Sequence, residues 1–177
     1  MKHWILTFII LLVPMLRGAD WPIFRGNRGL TGVAAGAVPD KPALLWKFDA
    51  NEPVRASVVV GDGRVYFGAD DGKFYALNLT DGKKLWEFDA KEPIEAPALF
   101  LDERVFFGNS FGMFFALNAK TGKEIWSDTY KAELLPRLHE GGPAATPTVH
   151  LGKVYTLGKD GKFKSYNAKD GKKLWER

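Results

Sequence analysis

An all-β fold made of repeated four-stranded units is predicted by three features of the 177-residue sequence. Tryptophan recurs at Trp46, Trp86 and Trp126, forty residues apart, and again at Trp175. The residues before it recur as well. Ala76-Leu77-Asn78-Leu79-Thr80-Asp81-Gly82-Lys83-Lys84-Leu85-Trp86 is matched by Ala116-Leu117-Asn118-Ala119-Lys120-Thr121-Gly122-Lys123-Glu124-Ile125-Trp126, and again by the run from Ser165 to Trp175. Asp-Gly and Thr-Gly pairs fall at matching places between short apolar stretches, which is the pattern of hairpin turns. Self-similarity at a period of about forty residues marks a repeat architecture.

The first complete repeat divides into four strands. Residues 56–60 form an apolar run, Gly61-Asp62-Gly63 a turn, and residues 64–69 a second strand. Asp70-Asp71-Gly72 leads into a third strand at 73–77, and Thr80-Asp81-Gly82 into a fourth at 84–89. The first strand lacks alternation, as suits a strand covered on both faces. Four antiparallel strands in about forty residues make the blade of a β-propeller. Blades are expected at 51–90, 91–130 and 143–177, three of the seven or eight of a full ring. Residues 44–50 repeat the outer strand without the three strands before it, so they are expected to close a missing last blade. On this accounting the sequence is the front part of a chain of roughly 300 to 400 residues. The repeated Trp46, Trp86, Trp126 and Trp175 are expected on the outermost strands, where each indole docks against the next blade and fixes the spacing. Asn78, Asn118 and Asn167 are expected to cap turns.

Outside the repeats, residues 1–19 read as a signal peptide, with Lys2 and Arg17 flanking a short apolar run. A lead-in segment covers residues 20–43. The reading places the mature protein in the periplasm or outside the cell, with membrane contact only through an uncleaved leader. The remaining charge is nearly balanced and evenly spread, which argues against nucleic acid as a partner. The sequence has no cysteine, which excludes disulfides, zinc-thiolate sites and a cysteine nucleophile. It shows no carboxylate pair, phosphate loop or calcium loop with alternating oxygen ligands.

The differences between repeats carry the functional signal. The interval before Trp175 is nine residues longer, and the extra residues fall in an inserted loop at 131–142. Tyr130, Arg137, His139 and Glu140 in and beside it mix aromatic and charged groups, the composition of a candidate partner-binding loop. Arg55 and Glu95 occupy corresponding positions just before two inner strands, so they are expected on one rim with unlike charge.

The triplicated Ala-Leu-Asn-x-x-Thr/Asp-Gly-Lys-x-Leu-Trp motif resembles the repeat of the pyrroloquinoline-quinone (PQQ) enzyme-like propellers over roughly residues 44–177. Asp20-Trp21-Pro22-Ile23-Phe24-Arg25-Gly26 resembles the start of secreted bacterial propellers of this kind. That family includes quinoprotein alcohol dehydrogenases and the non-enzymatic propeller lipoprotein of the outer-membrane barrel-assembly machinery, so the motif implies fold more strongly than function. The favoured expectation is a non-catalytic scaffold that presents a ring face to a protein or envelope component, with no cofactor evident. A dehydrogenase using PQQ with calcium and a membrane-anchored sensor ectodomain are the alternatives. The cysteine pair found in several of the dehydrogenases has no counterpart here.

Overall fold

The computed structural model describes residues 20–34, 36, 40–130 and 145–177. Every regular element among them is a strand. The first sheet holds β1 (Val59–Gly61), β2 (Arg64–Gly68), β3 (Lys73–Asn78) and β4 (Lys84–Asp89) in sequence order. The second holds β5 (Leu99–Leu101), β6 (Arg104–Gly108), β7 (Met113–Asn118) and β8 (Glu124–Thr129), and the third β9 (Thr148–His150), β10 (Lys153–Leu157), β11 (Phe163–Asn167) and β12 (Lys173–Glu176). All pairings are antiparallel and the register repeats: Phe67 lies opposite Tyr75, Phe107 opposite Phe115, and Thr156 opposite Lys164. The bulge after Ala76 recurs after Ala116 and after Ser165. These are three blades of a β-propeller.

Local chemistry explains the turns. Asp62 and Gly63 both have positive φ, 51° and 70°, the combination that matches a two-residue hairpin to strand twist. Asn78, Asn118 and Asn167 each accept a backbone hydrogen bond two residues on, from Thr80, Lys120 and Lys169. The β1–β2 and β3–β4 turns meet at one end of the first blade, where the Leu79 amide donates to Gly63 O at 3.0 Å. The β2–β3 turn lies at the other end, pinned to the segment entering β1 by a bond from the Asp70 amide to Pro53 O.

A tryptophan ladder joins the blades. The Trp86 indole donates to Ala119 O at 3.1 Å, and the Trp126 indole to Ala168 O at 3.2 Å. Trp46 makes the same bond to Leu79 O at 2.9 Å. Each indole lies over a turn glycine of the following blade. At Gly122, φ is +71°, and a Cβ would fall 2.7 Å from the Trp86 ring, so both backbone and packing require glycine there.

Two expectations are corrected. The inner strand starts at Val59 rather than residue 56, because pairing with β2 reaches only as far as Tyr66. Residues 44–50 form no strand: no described strand pairs with them, and the segment is held by Trp46, Phe48 and Ala50 packed on the first blade. The docking expected of Trp175 involves a blade outside the described residues; its ring packs on Tyr155 and Phe163 of its own blade. The signal peptide expected at 1–19 lies outside the described residues, as does the inserted loop at 131–142.

Candidate partner-binding face

The two ends of the blades are finished differently. At the end carrying the β1–β2 turns, the lead-in segment crosses the inner strands. Trp21 exchanges two backbone hydrogen bonds with Val60, at 2.8 and 2.9 Å, and the Phe100 amide of β5 donates to Pro22 O at 2.8 Å. Ile23 is buried with Leu99 and Val149, so the segment touches the inner strands of all three blades. The chain then folds back on itself, with the Gly32 amide bonded to Arg25 O. Gly26 is forced, since a Cβ there would lie 2.7 Å from the Trp21 ring. A cleft of about 480 Å³, mostly apolar and lined in part by Ile23, Leu30, Leu99 and Val149, separates this loop from β5 and β9.

The opposite end carries charged side chains beside exposed apolar ones, among them Val54 and Phe111. Arg55 and Glu95, read from the sequence as one rim, stand together: Arg55 Nη1 lies 3.7 Å from Glu95 Oε1, and Arg55 Nε lies 2.9 Å from Asp70. Lys159, a residue the sequence reading passed over, reaches the other oxygen of Glu95 at 3.5 Å. The ion-pair chain therefore crosses all three blades on one face. Gly158 makes the turn hydrogen bond that Ala69 and Asn109 make, so Lys159 stands where the other two blades carry Asp70 and Ser110. Both acids of this rim are engaged by cations, and among the described residues no three His, Asp or Glu side chains are arranged to hold a metal ion.

Of the candidate loop residues, Arg137, His139 and Glu140 lie outside the described residues. Tyr130 is described and is not at a surface. It is 3% exposed, packed under blade 3, with its hydroxyl hydrogen-bonded to Thr156 and its ring 3.7 Å from the Lys164 ammonium. Its backbone explains this placement: the Tyr130 amide bonds to Gly112 O, as the Ala90 amide does to Gly72 O, so Tyr130 belongs to the blade and not to the insertion. Lys164, itself 3% exposed, pairs with Asp128 Oδ2 at 3.1 Å, and the Tyr166 hydroxyl donates to the same oxygen at 2.6 Å. Burial works against ionising Asp128, yet the Tyr166 hydrogen bond and the Lys164 ammonium together hold its carboxyl below the ordinary value. Burial, then hydrogen bonding to Asp128, raises the Tyr166 phenol.

Blades with this repeat and ladder define the chain as a PQQ-repeat β-propeller. The family model described as outer membrane protein assembly factor BamB matches residues 33–177, and the chain belongs to that family. Among solved structures, BamB from Moraxella catarrhalis aligns with a TM-score of 0.62 and 22% identity, covering 75% of this chain and 39% of that one. Quinohemoprotein alcohol dehydrogenase ADHIIG from Pseudomonas putida HK5 aligns with a TM-score of 0.74 and 22% identity, covering 90% of this chain and 26% of that one. A europium-containing methanol dehydrogenase gives 0.76 and 17% identity over 91% of this chain and 32% of its own. The chain therefore spans well under half the length of these relatives. No curated protein matches it significantly.

Proposed function

We propose that this protein is a non-catalytic scaffold of the periplasm or cell exterior, which binds a protein or envelope component through the face that carries Arg55, Glu95 and Lys159. The observation that carries this reading is the asymmetry of the two ends. The lead-in segment lies across the inner strands at one end, and at the other an ion-pair chain crosses three blades with Arg55 largely exposed. Loops and rims held on a rigid sheet scaffold are where partners bind. Engagement of Asp70 and Glu95 by cations favours recognition over metal chemistry. Membership of a family described as an assembly factor supports a protein partner.

A photo-crosslinking residue placed at position 55 or 95, compared with one at the exposed Asp102 or Lys120 of the opposite end, tests the assignment in envelope-bearing cells. A discrete crosslinked species from 55 and 95 alone is expected. Equal labelling from both ends, or none from 55 and 95, would remove this face from consideration.

A further inference from the structure

Three aligned positions separate the interfaces between blades. Where residues 44–50 meet the first blade, Phe48, Phe67 and Tyr75 form an aromatic triad, with ring centroids 5.3 to 6.0 Å apart. Between the first and second blades the same places hold Phe88, Phe107 and Phe115, 5.3 to 6.3 Å apart. Between the second and third they hold Asp128, Thr156 and Lys164, and a fourth position that is Leu77 or Leu117 elsewhere becomes Tyr166. The exchange is concerted across the interface: Asp128 comes from the second blade, and its partners Lys164 and Tyr166 from the third. Tyr130, standing where the others have Ala50 and Ala90, completes the change by covering the Lys164 ammonium with its ring and bonding Thr156.

Stability alone does not call for this. The aromatic triad is used twice in the same chain, and an ion pair that buries Lys164 while leaving Asp128 32% exposed is no more stabilising than well-packed apolar groups of similar volume. What it adds is discrimination. Repeated blades with interchangeable faces can dock out of order or swap between copies. We propose that Asp128 and Lys164 form a key that fixes which blade packs on which. If the third blade docked on the face that the second one uses, Lys164 would be buried against Phe88 with no carboxylate. If a second blade from another copy docked on the Asp128 face, Phe115 would bury Asp128 with no cation. Each mismatch strands a charge, and only the native order pairs both.

Two sets of variants of the full chain test the key. The first is the charge-exchange cycle Asp128→Lys, Lys164→Asp and the double exchange, followed by thermal melting and by amide exchange in β11. Each single exchange is expected to lower the melting temperature and raise β11 exchange many-fold, and the double exchange to recover most of both. A double exchange no better than the singles would overturn the pairing. The second set keeps the proposal falsifiable if lysine fits poorly at 128: Asp128→Phe, Thr156→Phe and Lys164→Phe combined restore the aromatic triad. This variant should melt no lower than the parent while its share of swapped oligomers, read by size exclusion with native mass spectrometry, rises several-fold. An oligomer distribution identical to the parent's would contradict an ordering role.

Discussion

Between the first two blades, Phe88 of one packs on Phe107 and Phe115 of the next; between the second and third, Asp128 meets Lys164, Tyr166 and Thr156 at the same places. Apolar contact is non-directional and accepts any neighbour of suitable shape, whereas a buried charge accepts only its complement. The frame around both interfaces is the same: an indole over a turn glycine, a bond to the carbonyl after the repeated Asn, and an amide of the outgoing chain on the β2–β3 turn glycine or its equivalent. The repeat thus sets the spacing of blades, and the residues between ladder positions set the character of each interface.

The largest separation of the two interfaces is expected from truncating one partner at each. Asp128→Ala should cost about 3 kcal/mol, because Lys164 stays buried without its carboxylate. Phe88→Ala, at a partly buried ring, should cost about 2 to 3 kcal/mol. Denaturant melts with exchange read blade by blade would check this, and a loss under about 1 kcal/mol for Asp128→Ala would contradict the ionic account.

Acid makes the same comparison without mutation. The Asp128 carboxyl is held below its ordinary value in the folded chain, so its contribution is present above the ordinary carboxylate range and is lost as pH falls through the lowered value. Amides of β11 should open in that window before those of β7, and simultaneous opening would argue against it. Alkali offers no such contrast, since buried phenols stand at both interfaces. Burial pushes Tyr66 up from 10.0 to about 12, so its stabilising effect fades between those values, and Tyr166 is raised as well.

The shared frame is tested by Gly122→Ala, which places a methyl group against Trp86 at positive φ and should cost about 2 kcal/mol at the first interface only. Trp126→Phe removes the donor to Ala168 O and should cost about 1 kcal/mol at the second. Arg55→Glu is expected to have the smallest effect, under about 1 kcal/mol by melting, because the Arg55 side chain is 64% exposed. A larger loss would make the rim a folding element and weaken its reading as a binding face.

The blades were legible in the sequence because their signals are local. Turn glycines, capping asparagines and the Trp spacing each act within a few residues, and the period multiplies them. The placement of Trp21 against Val60 was not legible, since a pairing thirty-nine residues apart leaves no periodic trace. Tyr130 reads as a partner-binding residue because it stands beside the inserted loop, where two other copies carry alanine. Its burial follows from contacts with Thr156 and Lys164 that no spacing encodes. The change to a polar interface was present in the letters, as Phe74-Tyr75-Ala76-Leu77 becoming Phe163-Lys164-Ser165-Tyr166 and Trp-Glu-Phe becoming Trp-Ser-Asp. Only the packing of the second blade on the third brings the altered residues face to face. The rim was half legible: Arg55 and Glu95 followed from equivalent positions, whereas Lys159 reaches Glu95 from a turn two strands away from the inner edge.

The functional reading meets its most direct test in titration of the protein with pyrroloquinoline quinone in the presence of calcium, followed by calorimetry and by dye-linked alcohol oxidation. The account predicts no saturable heat and no turnover, as expected of a scaffold without a quinone site. Saturable quinone binding with alcohol turnover would contradict it and make the chain part of a dehydrogenase.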